Sequence, residues 1–183
     1  MLEIVLEGFY GETTPERREQ VNPGGWVVGT DFITNNQLTH VDFATIHLYP
    51  DQWTSGDDKA QLIFVDKWVE AHIEDSNTEL KKPIMLTEFG KSSRSSGYDV
   101  EARDTYFGHL FDAIYSSASE SGSCGGGLFW QVLTPGMSNW DDDGYGVVLE
   151  DSPSTANVIN QQSNRLAKLS PTYDDEKDHS FAA

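Results

Sequence analysis

The sequence predicts an α/β fold in which short buried strands alternate with amphipathic helices. Four runs are apolar on both faces and are bounded by glycine, proline or polar residues, a pattern typical of strands in a parallel sheet. They span residues 2–11, 41–50, 83–90 and 125–133. Helical segments separate or follow these runs, and that order favours a parallel sheet covered by helices.

The helical segments are identified by apolar residues three or four positions apart, the spacing of one helix face. These segments are residues 57–80, 100–121 and 154–169, and a shorter helix is predicted at residues 31–38. The third long segment follows a Pro-Ser pair, which is a helix start signal. Trp68 and Phe111 lie on the apolar stripes of the first two, so both are expected in the core.

Composition narrows the function classes. The 183 residues carry a formal net charge of −18, so nucleic acids and anionic membranes would be repelled and a neutral substrate is expected. The single cysteine, Cys124, permits neither an internal disulfide nor a multi-thiolate metal site, and we expect no metal and no cofactor. No stretch approaches the roughly 20 apolar residues of a membrane span. The first residues do not resemble a signal peptide.

One domain is expected over residues 1–170, because a chain with 37% hydrophobic residues can build a sizeable core. Residues 171–183 are polar and acidic, and they are predicted to form a disordered tail.

Polar and aromatic side chains follow every predicted strand. They are Glu7 and Tyr10, His47 and Tyr49, Glu88, and Trp130 and Gln131. Ligands of α/β sheets bind at the carboxyl ends of the strands, so these side chains are expected to share one cleft. No glycine-rich phosphate loop follows a strand, which disfavours a nucleotide site. Aromatic rings and a carboxylate on an acidic surface favour a carbohydrate. Glu88 alone could equally be a solvated acid that ends a strand.

Several other residues have ordinary structural explanations. The run "DDDGYG", residues 141–146, lacks the spaced carboxylates of an EF-hand, so a solvated turn is favoured over a calcium site. Cys124 has no histidine near it in sequence, and a catalytic thiol is not expected. His40, His72, His109 and His179 are scattered and are interpreted as surface or helix-face residues.

Five linked motifs carry a resemblance to a known family. They are "LEGFYG", "GTDFITNN", "VDFATIHLYPDQW", "LTEFGKSS" and "GGGLFWQV". In order and approximate spacing they are similar to the C-terminal part of plant endo-β-1,4-mannanases of glycoside hydrolase family 5. The resemblance implies a TIM (β/α)8 barrel, of which the four predicted strands would be the fifth to the eighth with their helices. A whole barrel takes about 250 residues, so a partial barrel is expected.

The resemblance also implies roles for individual residues. Glu88 matches the nucleophile, His47 and Tyr49 match residues that line the cleaved subsite, and Trp130 matches the aromatic floor beneath the sugar. Trp53 and Trp140 would contact more distant sugar units, and Glu7 would support the site without acting as the acid. The substrate would be mannan, glucomannan or galactomannan, hydrolysed with retention, and the family is extracellular. A related β-1,4-glucan hydrolase remains an alternative.

One expected motif is absent. The family's general acid lies in an Asn-Glu-Pro motif after the fourth strand, and no such tripeptide occurs in these 183 residues. A retaining glycosidase needs two carboxyl groups, so the chain alone is expected to be impaired or inactive. The alternative is a non-catalytic half barrel that binds sugar weakly, self-associates or pairs with another chain through its exposed edges.

Overall fold

The computed structural model describes residues 1–169, so the predicted tail at residues 171–183 lies outside the described residues. Three parallel strands form the main sheet in the order β1-β2-β3. They are β1 (Ala44–Leu48), β2 (Ile84–Phe89) and β3 (Cys124–Gly127). A separate pair of short parallel strands comprises β4 (Val132–Leu133) and β5 (Val147–Val148).

Six α-helices accompany the strands. They are α1 (Pro15–Val21), α2 (Phe32–Asn36), α3 (Pro50–Trp53), α4 (Asp58–Asp75), α5 (Val100–Ser119) and α6 (Pro153–Ala167). Helices α4 and α5 begin after aspartates, Asp57 and Asp99, whose carboxylates accept backbone N–H groups of the first turn. None of the helices within residues 1–169 combines the length and apolar character needed to cross a membrane.

The main core lies between the sheet and helices α4 and α5. All five residues of β1 are buried, and α4 covers the sheet with Trp68, which has no exposed surface. Phe111 of α5 packs against Phe89 of β2 with ring centroids 5.6 Å apart. The predicted core positions of Trp68 and Phe111 are therefore confirmed, and the stripes of three- and four-residue spacing correctly indicate the buried helix faces.

His72 lies on a helix, one of the two places predicted for it, but not at the surface. It is fully buried on α4, where its ring lies 4.5 Å from that of Phe32. Both ring nitrogens contact backbone carbonyls, Nδ1 that of Trp68 at 2.6 Å and Nε2 that of Gly8 at 2.7 Å. A neutral imidazole has a single N–H, so it donates to one of these carbonyls while its other nitrogen faces the second. Sequence spacing alone does not reveal such contacts.

The first predicted strand, residues 2–11, is not a strand in the structure. The segment runs beside β1 but makes few backbone bonds to it. Asp42 N–H donates to the carbonyl of Leu2 at 2.8 Å, and His47 N–H donates to that of Glu7 at 3.1 Å. Leu2 and Val5 remain exposed. A strand needs a continuous ladder, and an apolar run forms one only where a neighbouring strand lies in register.

The fourth predicted strand, residues 125–133, is divided into β3 and β4. After Gly127 the chain keeps only isolated bonds to β2, such as Trp130 N–H to the carbonyl of Phe89 at 2.9 Å. It then pairs with β5. The two short helices α1 and α3 were not predicted, because seven and four residues are too few to display a helical period.

Candidate active site

Glu88 and Tyr49 meet where β1 and β2 end. An irregularity in the ladder between Ile46 and His47 shifts the register, so that His47 lies opposite Glu88. Tyr49 follows β1 directly, and its hydroxyl donates to Oε2 of Glu88 at 3.0 Å. The two predicted strand ends therefore deliver their polar side chains to one place, as the parallel arrangement requires.

His47 stands between two carboxylates. Its Nδ1 lies 3.4 Å from Oε2 of Glu7 and 3.5 Å from Oε2 of Glu88. At these distances and angles neither contact is a hydrogen bond, and both ring nitrogens are buried without a hydrogen-bond partner among the described residues. An unpaired buried polar group costs about 1–3 kcal/mol. Protein atoms cover both nitrogens, so the imidazole lies just beneath the surface at the strand ends.

Tyr49 is held as a hydrogen-bond donor. Burial raises the pKa of its hydroxyl far above the ordinary value, and the bond to Glu88 and the charge of Glu7 raise it further. The phenol therefore keeps its proton throughout the physiological range. A protonated phenol that donates to a carboxylate favours the ionised form of that carboxylate, and an ionised carboxylate is the form that can act as a nucleophile.

Trp130 forms an aromatic surface beside this cluster. Its indole N–H donates to Oδ2 of Asp143 at 3.0 Å, and 39% of the residue is exposed. The run at residues 141–146 is a hydrogen-bonded turn, in which Asp141 accepts from Gly146 N–H at 2.7 Å and Asp143 from Tyr145 N–H at 3.0 Å. Within residues 1–169, no three histidine, cysteine or acidic side chains cluster closely enough to hold a metal ion.

The other predicted contact residues differ in their surroundings. Trp53 belongs to α3 and packs into an aromatic cluster, with ring centroids 5.1 Å from Phe9 and 5.2 Å from Trp68. Trp140 ends a short 3-10 turn and is 73% exposed. The Glu7 side chain is 47% exposed beside His47. Trp53 thus has a packing role of its own, whereas the indole of Trp140 is largely in solvent.

Sequence reasoning missed a cluster of polar residues next to Tyr49. Asp51 accepts hydrogen bonds from the hydroxyl of Tyr145 at 2.9 Å, the backbone N–H of Ser92 at 2.8 Å and the hydroxyl of Ser95 at 2.8 Å. Asp51 follows Tyr49 within the motif "YPDQW" and directly precedes Gln52, which donates to the Tyr145 oxygen at 2.9 Å. The only signal for Asp51 in the sequence was that it follows a strand end. That signal does not reveal hydrogen-bond partners more than 40 residues away.

Aromatic side chains beside a carboxylate at the ends of parallel strands are typical of carbohydrate-active α/β proteins. A family model described as "GH family 5 beta-mannosidase-like" matches residues 24–139. The chain belongs to glycoside hydrolase family 5.

Plant mannanases are similar to this chain over almost its whole length. It is 57% identical over 172 residues to "Putative mannan endo-1,4-beta-mannosidase 9" of Oryza sativa subsp. japonica, a match that covers 93% of this chain and 41% of the rice protein. It is 52% identical over 171 residues to "Mannan endo-1,4-beta-mannosidase 4" of Solanum lycopersicum, again covering 93% and 41%. The chain thus spans about two fifths of the length of the curated relatives it matches.

Solved structures agree on the fold. The endo-beta-1,4-mannanase of Thermotoga petrophila superposes with a TM-score of 0.64 at 24% identity, covering 88% of this chain and 35% of that one. The family 5 mannosidase of Rhizomucor miehei gives 0.54 at 22% identity, covering 72% and 39%. The parallel α/β arrangement of this chain is consistent with part of a TIM barrel.

Proposed function

We propose that this chain supplies the nucleophile-bearing part of an endo-β-1,4-mannanase site that hydrolyses mannan, glucomannan or galactomannan with retention. The observation that carries the proposal is the hydrogen bond from Tyr49 to Glu88 at the paired ends of β1 and β2. The names of the plant relatives support the substrate class. In the barrel numbering we assign residues 2–11 to the fifth strand, β1 to the sixth, β2 to the seventh and β3 with β4 to the eighth.

In the proposed first step a carboxylate oxygen of Glu88 bonds to the anomeric carbon of the sugar as the glycosidic C–O bond breaks. The bonding electrons leave with the glycosidic oxygen, which takes a proton from a general acid. In the second step water attacks the anomeric carbon, gives a proton to that acid's conjugate base and releases Glu88. The Tyr49 hydroxyl orients Glu88 by its hydrogen bond, and His47 lines the cleaved subsite beside both residues.

Trp130 provides the stacking surface for the sugar at the cleavage point, since its indole is fixed by Asp143 and partly exposed. Apolar faces of sugar rings pack well on such rings. Trp140 contacts a more distant sugar unit through its exposed indole. Trp53 contributes only through the edge that its aromatic neighbours leave uncovered.

The general acid is the group that these 183 residues do not provide through the family motif, because they contain no Asn-Glu-Pro. Glu7 is the other carboxylate within reach of His47. We assign it to orient the imidazole, because it contacts the same Nδ1 atom as Glu88. Loss of a general acid costs on the order of 10²–10⁴ in rate, so the polypeptide by itself is proposed to be impaired or inactive.

The second candidate function is a non-catalytic half barrel that pairs with another polypeptide. It is favoured by the edge of β3, which within residues 1–169 pairs with β2 alone. An apolar groove of about 390 Å³ flanks this edge, and its lining includes Met85, Phe111, Leu128, Phe129, Ile159 and Leu166. An open edge beside an apolar groove fits an added parallel strand. Weak sugar binding would then rest on Trp130 and His47 without hydrolysis.

The deciding experiment measures reducing-sugar release from soluble galactomannan by the purified 183-residue polypeptide. It is run alone and with the N-terminal part of a full-length plant relative, which would supply the missing acid. We expect activity at least about 100-fold higher in the mixture, abolished by Glu88→Ala and unaffected by Glu120→Ala, a change at an exposed position. Activity that persists in Glu88→Ala would remove Glu88 from the mechanism. A folded mixture without activity would favour the non-catalytic function.

A further inference from the structure

Asp51 connects three loops that surround the strand ends. It lies in the first turn of α3, immediately after β1. Its Oδ2 accepts from Ser92 N–H and from the Ser95 hydroxyl, both in the loop after β2, and its Oδ1 accepts from the Tyr145 hydroxyl, which lies just before β5. Three donors therefore converge on the two oxygens of one carboxylate.

Tyr145 transmits this constraint to Tyr49. The two rings meet edge to face, with centroids 5.1 Å apart and an interplanar angle of 69°. Gly90 leaves room for this contact, because a Cβ atom at that position would lie 2.6 Å from the Tyr145 ring. Tyr145 is itself fixed at its oxygen, which donates to Asp51 and accepts from Gln52. The hydrogen bond to Asp51 therefore helps to fix the orientation of the Tyr145 ring against Tyr49.

We propose that Asp51 is a positioning residue which, by anchoring the Tyr145 ring, holds Tyr49 in the orientation from which its hydroxyl donates to Glu88. The role of this arrangement in catalysis rests on the proposed function of Glu88. The restraint of Tyr49 by Asp51 through Tyr145 does not. The hydrogen-bond partners of Asp51 are Ser92, Ser95 and Tyr145, and Glu88 is not among them. It acts by limiting the rotation of a neighbouring ring, in the way that supporting residues hold reactive groups within the narrow geometry that catalysis needs.

Asparagine at this position would break the link selectively. An amide of the same shape keeps one acceptor oxygen but turns an NH₂ group toward the other side, so at least one of the three donors loses its acceptor. Tyr145→Phe removes the hydroxyl and keeps the ring, and it serves as a second variant should Asp51→Asn fold poorly. Both variants should free Tyr49 to turn away from Glu88 toward solvent.

The test follows the ionisation of Tyr49 by NMR in protein labelled at the tyrosine Cζ carbons, with the resonance assigned by Tyr49→Phe. The groups that face the Tyr49 hydroxyl are Glu88, Glu7 and Tyr145. Because burial and Glu88 hold its pKa high, wild-type Tyr49 should stay protonated up to the pH at which the protein unfolds. In Asp51→Asn and in Tyr145→Phe we expect Tyr49 to ionise in the folded protein, at least about one pH unit below the pH at which that variant unfolds.

The matched control is Asp58→Asn. Asp58 accepts from Lys91 Nζ at 2.7 Å, so this change loosens the same loop after β2 without touching Tyr145. It should lower stability and leave the Tyr49 titration unchanged. The double variant Asp51→Asn/Tyr145→Phe should behave as either single variant does, because the two residues act in series.

The proposal is overturned if Tyr49 titrates as in wild type in both variants, or if Asp58→Asn shifts the titration equally. Neither reading needs hydrolysis. A shifted titration, together with no sugar release from the mixture with the N-terminal part of a plant relative, would uphold the positioning role and count against the mannanase site. A normal titration in an active protein would do the reverse.

Discussion

Two of the pairs in which a tyrosine hydroxyl donates to a carboxylate have opposite surroundings. Tyr10 donates to Asp75 at 2.7 Å, and Tyr49 donates to Glu88 at 3.0 Å. The Asp75 side chain is 8% exposed, whereas that of Glu88 is 32% exposed. The Tyr10–Asp75 pair is enclosed between residues 2–11 and α4, and the Tyr49–Glu88 pair lies at the ends of β1 and β2.

The two carboxylates also differ in their positively charged partners. Arg17 donates to both oxygens of Asp75, from Nε at 3.0 Å and Nη2 at 2.8 Å. No lysine or arginine within residues 1–169 lies within ion-pair distance of Glu88, whose only basic neighbour is His47. Asp75 is thus fully paired, as a buried charge must be, while Glu88 keeps an oxygen free for another reactant.

A histidine accompanies each pair, and the same contrast recurs. The ring of His72 packs 4.8 Å from Tyr10, and both its nitrogens contact backbone carbonyls. The nitrogens of His47 have no hydrogen-bond partner among the described residues. The buried histidine therefore packs against backbone carbonyls, whereas the one at the strand ends has no protein hydrogen bond and indicates a binding site.

The largest test of this contrast is Asp75→Ala. Removing the carboxylate leaves the Arg17 guanidinium and the Tyr10 hydroxyl without their partner. Because breaking a buried pair from one side is strongly destabilising, we expect a loss of about 3 kcal/mol in the free energy of unfolding, measured in urea. The control is Glu74→Ala, which removes the exposed partner of Arg17 and should cost less than about 1 kcal/mol. Equal losses of stability in Asp75→Ala and Glu74→Ala would show that the buried carboxylate contributes no more than the exposed one.

The second test uses pH. Burial lowers the pKa of His72 to about 4, although its two carbonyl contacts oppose the shift. The folded state therefore prefers the neutral ring, so its contribution is complete above the unfolded pKa of about 6.5 and is lost as pH falls toward 4. The difference corresponds to about 3 kcal/mol.

The measurement is the His72 Cε1 resonance by NMR, together with urea unfolding between pH 7 and 4. His72→Gln should flatten the pH dependence of the free energy of unfolding, because glutamine has no group that takes up a proton when the chain unfolds. A ring that is already charged at pH 7 would mean that the two carbonyls outweigh burial, and the contrast with His47 would then be one of charge as well as bonding.

The smallest effect on stability is expected for Glu88→Gln. The amide oxygen still accepts from Tyr49. The substitution removes one of two negative charges, those of Glu88 and Glu7, that lie near the same nitrogen of His47. Sites held for function are commonly less stable than they could be, so we expect the free energy of unfolding to rise by about 0.5–1 kcal/mol. Glu7→Gln should change it in the same direction. A loss as large as that of Asp75→Ala would show that Glu88 is a structural anchor.

Much of the fold could be predicted because its signals are local. The apolar runs that became β1 and β2, and the stripes of α4 and α5 with their aspartate caps, are specified by residues within a few positions of one another. The run at residues 2–11 has the same apolar character but no complete ladder. Strand formation depends on the neighbour, which local sequence does not describe.

The candidate site divides in the same way. The side chains at strand ends, Glu88 and Tyr49 among them, follow from the order of strands, and the sequence determined that they would come together. Only the tertiary structure decided that Asp51 and Tyr145, 94 positions apart, would support them, and that His72 would be buried while His47 kept its nitrogens free. The physical reason is that a local pattern fixes which face a residue occupies, whereas hydrogen-bond satisfaction depends on atoms brought from distant parts of the chain.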